Sequence, residues 1–149
     1  MSALAIAITI VSTNACVKKE VVGGPAGMSN TAGVGPSLVV EQFLRAANAR
    51  DLMRMGQLFG TKEGAIASRD PRQQVEQRMF AIASILQHDD FEIQSEQLVP
   101  GRTSEATRLM VKLTIDKRPY SVPFTMVRYK SSDWLVEQVG IDVITAPRN

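Results

Sequence analysis

Residues 109–126, LMVKLTIDKRPYSVPFTM, decide the fold. Leu109, Val111, Leu113 and Ile115 alternate with Met110, Lys112, Thr114 and Asp116, the period of two expected of a strand with one buried face. Lys117 to Pro119 predicts a turn, after which Tyr120, Val122, Phe124 and Met126 share one face of a second strand. Pro123 has no N–H to donate, so an edge or a bulge is expected there.

The alternation extends in both directions. Upstream, FEIQSEQLV (91–99) reads as a strand closed by a Pro100-Gly101 turn. Downstream, Ser131-Ser132-Asp133 turns into WLVEQVGIDVIT (134–145), where Leu135, Glu137, Val139 and Ile141 alternate with Trp134, Val136 and Gln138. These hairpins form an antiparallel sheet.

Before residue 90 the period is helical. Val40, Phe43, Leu44 and Ala47 recur at i, i+3, i+4 and i+7, with Glu41 and Arg45 four apart on another face. Ser37 after Pro36 is the expected N-cap, and Asn48 to Arg50 breaks the helix. Asp51 predicts the cap of a second helix in which Leu52, Met55, Leu58 and Phe59 face the core and which Gly60 ends. TKEGAIASR (61–69) reads as a loop with a brief strand at Ala65-Ile66. Asp70 as N-cap, Pro71 at the first helical position and Gln73 three after the cap predict a third helix. Val75, Met79, Ile82 and Leu86 carry its apolar face as far as His88. Helices followed by hairpins define an α+β fold, N-terminal helices packed on an antiparallel sheet.

The chain has 149 residues, 44% hydrophobic and 21% charged, enough to bury one core. With 17 Lys and Arg against 15 Asp and Glu, the net charge of +2 is dispersed and gives no electrostatic basis for nucleic-acid binding. One Cys and one His exclude an internal disulfide, a Cys-based metal cluster and a multi-His metal site. No cofactor motif occurs, and the glycines at 23, 24, 27, 33 and 35 precede no phosphate loop.

The N-terminus reads as an address. Ala3 to Val11, ALAIAITIV, is apolar with no charge before Lys18. Crossing a membrane takes roughly 20 apolar residues, so this run has the length of a signal-peptide core instead. Ser12, Thr13, Asn14 and Ala15 then lead to Cys16. The arrangement resembles a bacterial lipoprotein signal peptide, in which the small residue before the cysteine permits cleavage and the cysteine becomes the lipid-modified N-terminus. Thr13 stands where Leu is usual, Asn14 is atypical of the next position, and no Lys or Arg precedes the apolar run. An ordinary signal peptide and a structural segment with a buried thiol are the alternatives. On the lipoprotein reading, 1–15 is the signal peptide, 16–36 a Gly/Ser/Pro-rich tether, 37–145 the folded domain and 146–149 a tail. The expected location is an exported domain anchored to a membrane, facing the periplasm or the cell exterior.

The folded domain resembles the NTF2-like (cystatin-like) superfamily. The likeness rests on VVEQFLRAANARDLMRMGQLFG (39–60), which matches the opening helix, the break before an Asp and the second helix, and on YKSSDWLVEQVGID (129–142), similar to the closing hairpin. It covers about 110 residues from Ser37. The resemblance implies a cone in which helices pack into a curved antiparallel sheet. It also implies a homodimer through the sheet as one mode of assembly.

Phe43, Met55, Phe59, Met79, Leu109, Val111, Tyr120, Phe124 and Trp134 are the expected lining of that cone, with Leu44, Leu113 and Val122 beside them. They are nearly all apolar, which suits an apolar ligand. Enzymes of the superfamily, isomerases and cyclases among them, place an Asp base and hydrogen-bond donors inside the cone. Here Tyr120 is a candidate donor and Asp116 or Asp142 a candidate carboxylate, but alternation turns Asp116 away from Leu113. No residue is placed as a catalytic base. His88, with Asp89 and Asp90 after it, is expected at a helix end in a structural role. The expected function is therefore a non-enzymatic binding or accessory module for an apolar ligand or a protein partner. An accessory subunit of a membrane complex and an isomerase-type enzyme are the alternatives.

Overall fold

A computed structural model describes residues 35–147, all within the compact unit Thr31–Asn149. Cys16 and the signal peptide expected over 1–15 lie outside the described residues, as does most of the tether. Helices α1 (Pro36–Ala49) and α2 (Leu52–Leu58) come first. A short hairpin, β1 (Gly60–Thr61) and β2 (Gly64–Ala65), then leads into a single turn, α3 (Ile66–Arg69), and α4 (Arg72–Ile85). Four long strands follow: β3 (Asp90–Leu98), β4 (Ala106–Ile115), β5 (Arg118–Tyr129) and β6 (Asp133–Val139). The chain closes with α5 (Asp142–Thr145). The strands pair in sequence order, every neighbour antiparallel. This is the α+β arrangement expected from the sequence, helices followed by an antiparallel sheet.

Local chemistry sets the helix boundaries. Helix α1 starts at Pro36 with Gly35 at the cap position, two residues before the Ser37 cap the sequence suggests. Proline's fixed φ already suits a first helical turn, so the serine cap is not needed. Arg50 ends α1 in the left-handed conformation (φ 54°), where the next N–H groups reach back to Ala46 and Ala47. Asp51 caps α2 as expected, its carboxylate accepting from Arg54 N–H at 3.0 Å. Glu41 and Arg45 pair across one turn at 2.6 Å. At α4 the cap position falls to Pro71 without a side-chain bond, and Asp70 instead faces Arg78 at 3.8 Å. The 61–69 stretch is more ordered than expected, with Ala65 in β2 and Ile66 beginning α3.

The sheet buries the predicted face. Leu109, Val111, Leu113, Val122, Phe124 and Met126 have no exposed surface and pack against Phe43, Leu44, Met55 and Met79 from the helices. Each such side chain is worth about 1.5–3 kcal/mol. An exposed ion pair such as Arg72–Glu76 contributes about 0–1 kcal/mol, so the core holds the fold together. Gly56 brings α2 onto α4, since a Cβ there would stand 2.5 Å from Val75 Cγ1.

Two irregularities bend the sheet, at Ile93/Ser95 in β3 and at Thr125/Met126 opposite β6. The turn between β4 and β5 is tighter than Lys117–Pro119 suggested. Ile115 pairs with Arg118, leaving Asp116 and Lys117 at φ 49° and 63°. Pro123 sits just past the last β5–β6 pair, Phe124 with Val139, where β5 becomes an edge. The final strand stops at Val139 instead of running to residue 145. Gly140 turns against Pro123, and Asp142 begins α5. Ile141 and Ile144 pack onto the core from there. Beyond the far end of the sheet, the 99–105 loop is tied down by Arg102, which donates to both carboxylate oxygens of Glu137 at 2.7 and 3.0 Å. Those hydrogen bonds hold the guanidinium above its ordinary pKa, against a smaller opposing effect of burial. On the outer side β3 is an edge, its last five residues exposed.

Candidate functional site

The structure places the nine expected lining residues together, but as packed core. Phe43, Met55, Met79, Leu109, Val111 and Phe124 have no exposed surface. Phe59, Tyr120 and Trp134 are partly buried against them. The Phe43 ring meets Phe59 at 6.1 Å and the edge of Phe124 at 6.4 Å. Side chains fill the space between the helices and the sheet, where a lined cone is expected from the sequence.

Beside this core lies a cleft of about 280 Å³. Val39 and Gln42 reach it from α1, and Arg54, Gln57 and Leu58 from α2. The first pair stands at i, i+3 and the second set at i, i+3, i+4, spacings that align each along one helix face. The opposite wall comes from the adjoining ends of β5 and β6, with Tyr129, Asp133, Trp134 and Leu135, and from Ala65 of β2. Trp134 is thus the expected lining residue that does face an open space.

Arg54 spans the two helices. Its guanidinium donates to Gln42 Oε1 at 2.7 Å and to Gln57 Oε1 at 3.3 Å, both neutral acceptors. The aromatic wall carries cations as well. Arg128 lies 5.0 Å above the Trp134 ring and Lys130 Nζ lies 4.9 Å from the Tyr129 ring, distances at which a cation is attracted to the π face. Among the described residues Arg54, Arg128 and Lys130 form no ion pair with a carboxylate, although Asp133 stands in the same cleft. The arrangement offers an apolar floor, an indole face and one lining cation, Arg54, with Arg128 and Lys130 beside the aromatic wall.

Arg54, Gln42, Gln57, Tyr129 and Asp133 are not legible as site residues in the sequence. Their pattern is that of an ordinary polar helix face and a polar turn, and only the packing of α2 beside the adjoining ends of β5 and β6 makes a cleft of them.

A second, polar cleft of about 350 Å³ is lined by Asn48, Gln87, His88, Asp89, Ile115 and Asp116. Its groups bond one another. Asn48 Nδ2 donates to the His88 carbonyl at 3.0 Å while its Oδ1 accepts from His88 N–H at 3.1 Å. Gln87 donates to the Ala47 and Ala83 carbonyls, and Asp89 accepts from the Lys117 N–H in the β4–β5 turn. The His88 ring bonds the Leu86 carbonyl through Nδ1 at 2.7 Å and meets the edge of Phe91 at 5.6 Å. These bonds join the ends of α1 and α4 to the sheet. Asp89 is thereby a turn cap and Asp90 the first residue of β3.

Among the described residues the buried polar side chains are Thr107 and Thr125. No buried side-chain N or O among them lacks a partner, and no group of three or more His, Cys, Asp or Glu could hold a metal ion. No described helix is long and apolar enough to cross a membrane.

The chain is similar to the crystal structure of an NTF2-like protein of unknown function from Cytophaga hutchinsonii. The match has 12% sequence identity and a TM-score of 0.38, over 73% of this chain and 92% of that one. No family model and no curated protein matches the chain.

Proposed function

We propose that this protein is a non-enzymatic binding module that takes a small apolar ligand in the cleft between α1, α2 and β6, and that a lipid on Cys16 anchors it to a membrane outside the cytoplasm. The observation that carries the binding reading is the contrast between a filled core and an open cleft floored by Val39, Leu58 and Trp134. Mostly apolar concavities with a few placed polar groups are the usual form of ligand sites. The non-enzymatic reading draws support from the core, whose two buried polar side chains among the described residues are threonines with no titratable group.

A small ligand is favoured over a docked protein by the distribution of exposed apolar side chains. Leu38, Phe80, Leu98 and Val143 lie on four different elements, α1, α4, β3 and α5. Protein interfaces draw instead on contiguous apolar patches.

Trp134 is the only tryptophan in the chain, so its fluorescence reports on the cleft directly. Titration with octanol is expected to give a saturable shift in emission. Gln57→Phe, which puts a larger apolar group on the cleft-facing side of α2, is expected to weaken it. An emission spectrum that neither octanol nor its charged analogues change, with the protein folded by circular dichroism, would exclude the cleft as the ligand site.

A further inference from the structure

The charge around this cleft selects among apolar ligands. We infer that the ligand carries an anionic head group, a carboxylate or similar acid, held by Arg54 at the mouth of the cleft while its apolar body lies on Trp134. This rests on the cleft being the binding site, as proposed above.

Four features of the site lead to it. Arg54 is fixed by Gln42 and Gln57, which accept hydrogen bonds without neutralising the charge. An arginine whose task is to tie two helices together is served equally well by a carboxylate partner, which makes a stronger bond. Two amides instead orient the guanidinium and leave its full charge available. Secondly, Arg128 and Lys130 stand on the two aromatic rings of the cleft wall, and among the described residues neither shares an ion pair. Their positive potential adds to that of Arg54 over the same space. Thirdly, the lining itself holds one cation, Arg54, and one carboxylate, Asp133, so Arg128 and Lys130, which stand against the lining rings without lining the cleft, tip the local balance to positive. Lastly, the cleft has an apolar floor, so a bare inorganic anion would leave Val39, Leu58 and Trp134 uncovered. An amphiphile with an acidic end satisfies both halves. At about 280 Å³ the space lies just under the usual span of small-molecule pockets, about 300–1,000 Å³, which points to a short-chain or single-ring acid.

The test uses three probes with one apolar body and three charges: octanoate, octanol and octylammonium, each titrated against Trp134 emission at low ionic strength. Octanoate is expected to bind about tenfold tighter than octanol, the order of a charge-assisted hydrogen bond, and octylammonium more weakly than either. Arg54→Gln is expected to bring octanoate down to the affinity of octanol. Arg108→Gln, on the far side of the sheet, is expected to preserve the preference. Raising the salt is expected to narrow the gap between octanoate and octanol, because the rim cations are exposed. Equal affinity for octanoate and octanol would overturn the acid preference and leave the cleft reading standing. Binding by none of the three would overturn both. A preference for octanoate that survives Arg54→Gln would overturn the role of Arg54. Vesicles of anionic lipid separate the two sources of such an acid. If the head group is that of a membrane lipid, vesicles shift Trp134 emission and octanoate competes. If it is a free acid, vesicles leave the emission unchanged.

Discussion

Gly140 lies directly on Pro123: a Cβ on Gly140 would stand 2.5 Å from Pro123 Cγ, and its N–H donates to the Pro123 carbonyl at 2.8 Å. This contact ends the last strand. It turns the chain away from β5 so that Ile141 and Ile144 reach the core from α5.

Gly140→Ala forces a methyl group into the proline ring, and the expected cost is about 1–3 kcal/mol, typical of overpacking. Urea unfolding monitored by circular dichroism measures it. A change below the error of the measurement would show that β5 yields to the extra methyl group without strain.

Asn48 ties α1 to the segment after α4 through both polar atoms of its amide. Asn48→Ala leaves the His88 N–H and carbonyl without these partners. The expected loss is about 1–2 kcal/mol, moderated by the solvent access of the site. Asn48→Asp retains only the acceptor and places a carboxylate against a carbonyl, so it is expected to be no better than alanine. Urea midpoints of the two variants check the order.

Phe124 joins the sheet to the helices through Phe43, ring edge against ring face. Phe124→Ala empties the middle of the core, and a loss of about 3–5 kcal/mol is expected. Phe124→Leu, which conserves more volume, is expected to lose less. Thermal unfolding of both variants tests whether the space between the sheet and the helices is packed, because an open cavity there would tolerate the truncation.

Cys16 as the attachment residue predicts a mass. Protein recovered from membranes of its native host is expected to lack residues 1–15 and to carry added acyl mass, and Cys16→Ser is expected to abolish both changes. An unmodified full-length chain in the soluble fraction would remove the anchor from the functional proposal.

The fold was legible wherever burial follows a period. Leu109, Val111 and Leu113 alternate in the sequence as they do in the sheet, and Val40, Phe43, Leu44 and Ala47 form the buried stripe of α1. The errors fall where a contact distant in sequence overrides a local pattern. The strand pattern through WLVEQVGIDVIT continues past residue 139, but Gly140 is held against Pro123 and the strand cannot extend. The cleft was almost illegible for a related reason. Trp134 is legible as a lining residue of the expected cone, whereas nothing in the sequence distinguishes Arg54 and Gln57 from an ordinary polar helix face. A single period describes one element's faces; a cleft is a relation between elements.

The free edge of β3 bears on how the protein behaves when crowded. Two copies adding edge to edge through β3, antiparallel and centred on Gln94, would set Glu92 of each against Glu96 of the other. Like charges placed directly opposite are destabilising, and the irregularity at Ile93/Ser95 interrupts the ladder at the same point. The edge strand β3 therefore disfavours pairing with its own copy in this register.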